Sequence, residues 1–146
     1  MDAVDHKIVT LLQGNGRLSQ EHIAQQVNLS RPAVHERIKR LEEQGVLRGY
    51  QARVDWGALG LPLSAFISVR YHTVEVPANE TTARIMALRC PDTIITECYR
   101  TTGGWCTLLK AHVATPLALQ DLIDAIRAIP SVQETLTTMV LSTLEE

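Results

Sequence analysis

From Ser30 to Arg40 the chain reads Ser-Arg-Pro-Ala-Val-His-Glu-Arg-Ile-Lys-Arg, placing four cations and an imidazole at short intervals, and Arg48 follows eight residues later. Side chains of these types pair with phosphate, and an arginine or histidine that reaches a base edge can hydrogen-bond it. A second cluster, Thr102-Gly103-Gly104-Trp105-Cys106, suits different chemistry. Glycines let backbone N–H groups approach a carboxylate, and an indole can cover an apolar side chain. Neither cluster contains a nucleophile beside a base, paired carboxylates or metal-ligand spacing. No catalytic residue and no metal site is therefore expected.

The cations need a scaffold, and residues 18–49 supply one in outline. Ser19 caps a short helix with Ile23, Ala24 and Val27 on one face, and Asn28 and Leu29 make a tight turn. Ser30 caps a second helix, with Pro32 in its first turn, where a missing N–H costs little. Val34, Ile38 and Leu41 form its apolar stripe and Gly45 stops it. Arg31, His35, Lys39 and Arg40 lie off the stripe, with Glu36 one turn before Arg40. A solvated amphipathic hairpin would share these features. An upstream helix capped by Asp2, with Val4, Ile8, Leu11 and Leu12 at helical spacing, favours the three-helix core of a helix-turn-helix domain. Arg31 and His35 are then expected at base edges, with Lys39 and Arg40 at phosphates of double-stranded DNA. Arg37 has two readings, a phosphate contact or an intradomain salt bridge. Residues 46–54, with Arg48 and Arg53, are expected to form a wing or edge strand.

Composition fits such a protein. The chain has 146 residues, 45% of them apolar, enough for packed cores. Its net charge is only −2, but residues 1–55 hold eight Lys or Arg against seven Asp or Glu, whereas residues 56–146 hold six against nine. The basic excess lies between Arg31 and Arg53, so an oligomer gaining affinity by avidity is expected rather than a DNA-coating protein. No apolar run approaches membrane-spanning length and the N-terminus is not a signal peptide, which points to the cytoplasm and no membrane partner. Cys90, Cys98 and Cys106 are odd in number and lack a C-x-x-C pair, so they read as buried reduced thiols.

Gly57, Gly60 and Pro62 mark residues 55–62 as a linker between a domain of residues 1–54 and one of residues 63–146. Beyond it, residues 63–72 alternate as a strand, 79–89 form a helix, and 94–102 and 105–113 form a hairpin about Gly103-Gly104. In that register Cys106 faces Thr101 and Cys98 faces Leu109. A helix opened by Thr115-Pro116 and a strand over 132–141 complete a split βαβ plan. The fold class is thus α+β, a winged helix-turn-helix followed by a ferredoxin-like βαββαβ domain. One sheet face is left open, and a second copy of the chain is its expected cover.

With these residues assembled, the chain resembles the Lrp/AsnC, or feast/famine, regulators. The resemblance rests on Asp5-His6-Lys7-Ile8-Val9-Thr10-Leu11-Leu12, Asn15-Gly16-Arg17, the block from Leu29 to Glu42, Gly45-Val46-Leu47 and Gly49-Tyr50. It implies a transcription regulator acting on double-stranded DNA as a homodimer that assembles to an octamer, with no cofactor and an amino acid or related small molecule as effector. It also implies an effector site at the turn the family writes T-G-x-x-D, here Thr102, Gly103, Gly104, Trp105 and Cys106, with Thr137 nearby. Cys106 stands where the family has an acid. A rival on the same architecture is an enzyme resembling sirohaem decarboxylases, with His72 or His112 against a tetrapyrrole.

Overall fold

The computed structural model describes residues 1–72 and 76–143. It contains two compact units, Met1–Arg53 and Val54–Glu146.

Three helices build the first unit: α1 (Ala3–Gly14), α2 (Gln20–Val27) and α3 (Arg31–Glu43). Each begins at a side-chain cap that satisfies a free N–H: Asp2 accepts from Asp5 N, Ser19 from His22 N and Ser30 from Ala33 N. Asn28 closes α2 in the left-handed region, φ 53°, a conformation asparagine tolerates. Ile8, Leu12, Ile23, Ala24, Val27, Val34, Ile38 and Leu41 form one buried core. Each helix presents only a narrow apolar face, so the helices depend on one another for burial.

The expected strand over residues 46–54 is not formed. A strand requires a neighbouring ladder, and no ladder forms along this segment among the described residues. Gly45 and Gly49 take positive φ, 69° and 123°, turning the chain at both ends of its first stretch. Side-chain contacts replace pairing: the Tyr50 ring lies over Gly16, where an added Cβ would sit 3.1 Å from Cδ1, and its hydroxyl donates to Glu42 at 3.1 Å.

The second unit runs β1 (Leu63–Tyr71), α4 (Ala78–Ala87), β2 (Thr93–Arg100), β3 (Thr107–Val113), α5 (Pro116–Arg127) and β4 (Val132–Met139). The strands form one antiparallel sheet in the order β2-β3-β1-β4. Alternation along β1 buries Ala65, Ile67, Val69 and Tyr71 against Leu109, Ala111 and Val113 of β3, Ile85 of α4 and Leu119, Leu122 and Ile126 of α5. Buried hydroxyls on this side are paired, Thr81 with Ser131 at 2.8 Å and Tyr71 with Thr107 at 2.9 Å. Helix α4 stops two residues earlier than expected because Leu88 leaves helical geometry at ψ 139°. The cysteines are free thiols, each half-buried rather than buried.

The opposite sheet face presents Phe66, Ser68 and Arg70 of β1, Tyr99 of β2, Leu108 and Lys110 of β3, and Leu136 of β4. Tyr99 and Leu136 are about half exposed, 52% and 51%. At its β1 start Trp56 stacks on His112, centroids 5.0 Å apart, and Ser64 Oγ meets His112 Nδ1 at 2.9 Å. Trp56 thus ties residues 55–62 to the sheet at one point.

Candidate nucleic-acid interface and effector turn

Side chains around α3 sort by angle, since successive residues turn by about 100°. Val34, Ile38 and Leu41 point into the core. Arg31, Pro32, His35 and Lys39 are exposed on the other side, and Arg48 is exposed beyond the helix. Lys39 Nζ lies 3.9 Å from Glu43 one turn on, and His35 Nδ1 lies 3.2 Å from Gln20 Nε2 of α2. Ser30 Oγ accepts from Ala33 N at 3.4 Å, so its hydroxyl serves the helix start.

Arg37 and Arg40 are engaged within the unit. Arg37 Nη1 donates to Asp2 Oδ2 and to Asp5 Oδ1, both at 2.7 Å, and Arg40 Nη2 reaches both Asp5 oxygens at 3.0 Å. Asp5 is only 2% exposed. Asp2 and Asp5 also bond each other's backbone N–H in a capping box, at 2.8 and 3.0 Å. These contacts have a clear electrostatic signature. The Arg37 guanidinium, helped by Asp5 N–H, holds the Asp2 carboxyl down at about 2. The Asp2 N–H, then Arg37, likewise lowers the pKa of Asp5. Arg40 thus turns to Asp5, not to Glu36 as its spacing suggests. Asp5 is the residue that sequence reading missed, and its signal is the D-x-x-D spacing at the start of α1.

The turn at residues 101–106 keeps the expected register: Thr101 N donates to Cys106 O at 3.0 Å and Cys98 pairs with Leu109. Only Gly103 has positive φ, 94°. Arg70, which the sequence did not single out, secures this turn. Its Nε donates to Gly104 O at 2.9 Å, its guanidinium lies 4.8 Å from the Trp105 ring centre, and its Nη1 is 3.1 Å from Glu134. Cys106 Sγ lies 3.7 Å from Tyr71 O. Thr102, Gly103 and Gly104 are exposed, whereas Trp105 and Cys106 are half-buried.

Thr137 is not brought to the turn within one chain. It pairs with Ile67 on β4, whereas Thr107, next to the turn, pairs with Val69, itself opposite Thr135. Two strand spacings, roughly 10 Å, separate β3 from β4 even before that offset. The histidines considered for a tetrapyrrole also fail to converge. His72 is exposed past one end of β1, and His112 is buried beneath Trp56 at the other. Burial, then Lys110, lowers the pKa of His112.

An exposed cationic helix on a three-helix core, followed by a split βαβ sheet domain, defines a helix-turn-helix regulator of the two-domain kind. Residues 1–42 match the AsnC-type helix-turn-helix domain and residues 64–146 the Lrp/AsnC ligand binding domain. The HTH-type transcriptional regulator FL11 of Pyrococcus horikoshii is 34% identical over 146 residues, covering all of this chain and 93% of that protein. A Neisseria meningitidis transcriptional regulator solved with L-Met superposes with a TM-score of 0.88 at 29% identity, covering all of this chain and 93% of the other. A feast or famine regulatory protein from M. tuberculosis, complexed with L-methionine, gives 0.88 at 32%, covering 99% and 95%. The chain belongs to the Lrp/AsnC family of transcriptional regulators. The enzyme alternative gains no support from these relatives. Among the described residues, no helix is long and apolar enough to cross a membrane.

Proposed function

We propose that this chain acts in the cytoplasm as a symmetric, sequence-specific DNA-binding regulator whose α3 enters the major groove. The observation that carries this reading is the exposed row Arg31, Pro32, His35 and Lys39, set over the buried stripe of Val34, Ile38 and Leu41. Arg31 and His35 read base edges, while Lys39, Arg48 and the free side of Arg40 meet phosphate. Ser30 and Pro32 set the helix start, and Arg37 positions the helix from within. A homodimer forms over the open sheet face, where Tyr99, Leu136, Phe66 and Leu108 would otherwise meet water, and dimers assemble further to an octamer. Selection of bound fragments from a random duplex pool tests the DNA reading. Arg31→Ala should cost about 1–3 kcal/mol, mainly on the selected site, and Lys39→Ala should weaken all duplexes and flatten the salt dependence. Equal losses by both variants on selected and random DNA would refute the division of roles.

The effector is an amino acid or related small molecule, held at Thr102, Gly103, Gly104, Trp105 and Cys106, with Thr137 contributed by a second copy. Support comes from the two relatives solved with L-methionine and from the glycine turn beside an indole. Calorimetric titration of the twenty amino acids tests it. Binding should change DNA affinity by about 1–3 kcal/mol. No heat with any of them, alongside normal DNA binding, would remove amino acids as effectors.

A further inference from the structure

Asp2 and Asp5 face Arg37 and Arg40 much as DNA phosphates would, with anionic oxygens at 2.7–3.0 Å. We propose that this carboxylate pair occupies the two arginines as an internal substitute for phosphate and thereby lowers binding to non-specific DNA relative to the preferred site. The inference rests on the DNA reading above.

Four features lead there. First, Arg37 lies about 160° around α3 from His35 and about 120° from Arg31. Its side chain is nevertheless partly open to solvent, 25% exposed, beside an Asp2 side chain that is 54% exposed. Second, a helix in the major groove runs between two phosphate backbones, so a long side chain at its flank lies within reach of one of them. Third, affinity for random DNA comes from cations that displace counterions from phosphates, and an arginine already neutralised by carboxylate displaces fewer. Fourth, the pairs cross between helices, with Asp2 and Asp5 at the start of α1 and Arg37 and Arg40 on α3. They therefore fix the rotation of α3 and keep Arg31 and His35 aimed while withholding the sequence-blind contacts. Arg31 and His35 thus serve specificity, Lys39 and the exposed side of Arg40 keep some phosphate contact, and Arg37 is the cation most fully withheld.

Asp2→Asn is the informative variant, because asparagine still caps α1 but carries no charge. Binding to a random duplex and to the selected site is measured across salt concentration for the full chain, with thermal unfolding confirming the fold. Asp2→Asn leaves Arg37 with Asp5 alone and should steepen the random-duplex slope of log K against log salt by up to about 0.9, the value of one added phosphate contact, and raise that affinity by up to about threefold at low salt. The ratio of specific to random binding should fall by a similar factor. Asp2→Asn combined with Arg37→Gln should lose the added slope. If the Asp2→Asn gain persists without Arg37, it is a general charge effect and the proposal is wrong. If Asp2→Asn weakens both duplexes together, the pair is only a strut and the proposal is equally wrong. Failure of the parent to bind any duplex would instead sink the DNA reading itself.

Discussion

In the first unit, Arg37 and Arg40 reach from α3 to carboxylates at the start of α1, and the capping hydroxyls of Ser19 and Ser30 lie beside their own helices. In the second unit, the turn at 101–106 is secured chiefly by Arg70, whose guanidinium is shared among a carbonyl, an indole and Glu134. The exposed row of α3 is braced within one chain. The candidate effector turn is exposed at Thr102, Gly103 and Gly104, and its remaining candidate, Thr137, lies two strands away. A surface that must present a fixed pattern to a duplex is built on packed helices, where each side chain's angle follows from the core. A loop's side-chain arrangement is set instead by contacts from neighbouring strands, here chiefly those of Arg70.

That contrast can be broken most forcefully at the core. Ile23→Ala should cost the helical unit about 2–5 kcal/mol and abolish DNA binding, since Ile23 is fully buried between the helices. Circular dichroism melting should then show the sheet unit unfolding separately at its parental temperature. One shared transition would mean that the units are not energetically independent.

Cys106→Asp sharpens the comparison from the other side. It supplies the acid at the turn and should tighten or create binding of an ordinary amino acid by about 1.5–3 kcal/mol, the value of a charge-assisted hydrogen bond, while leaving unliganded DNA affinity near parental. Calorimetry gives the first quantity and fluorescence anisotropy the second. No amino acid bound better than by the parent would make Cys106 a packing residue.

Helix starts and register were legible in the sequence for the same physical reason that the first unit is self-contained. Asp2, Ser19, Ser30 and Thr115 each act on an N–H group three residues away, so local spacing suffices. The Thr101–Cys106 pairing followed from two glycines. Partners distant in sequence were not legible. Nothing near Arg40 points to Asp5, thirty-five residues earlier, and Glu36 offers a nearer match. Arg70 alternates with Ser68 and Phe66 into the open face of β1, and its grip on Gly104 depends on how β3 lies beside it. The strand expected over 46–54 failed likewise, because extended residues show their propensity but not whether a partner exists.

Ser30→Ala should have a smaller effect, about 1 kcal/mol of helical-unit stability, because one free N–H of α3 loses its acceptor. A matching loss of affinity on every duplex, without change in base preference, would place the hydroxyl at the helix start and not at a base.

The subtlest test is pH. Asp2 sits at about 2 in the folded chain against an ordinary 3.8, so folding favours its ionised form. The resulting stability is fully present above about pH 4 and is lost as pH falls toward 2. Arg37→Gln should flatten this part of the acid-denaturation profile of the helical unit while leaving that of the sheet unit unchanged. An unaltered profile would show that the Asp2–Arg37 pair contributes nothing in solution.

The Trp56–His112 stack gives the second unit an optical reporter of its own. Indole emission is sensitive to charge on a ring held 5.0 Å away, and burial resists protonation of this imidazole. Trp56 should therefore stay bright as pH drops through the range where a free histidine titrates, then dim when the imidazole finally takes a proton. With Trp105 replaced by phenylalanine, that single signal would follow in real time whether residues 55–62 remain seated on the sheet when DNA or a small molecule is added.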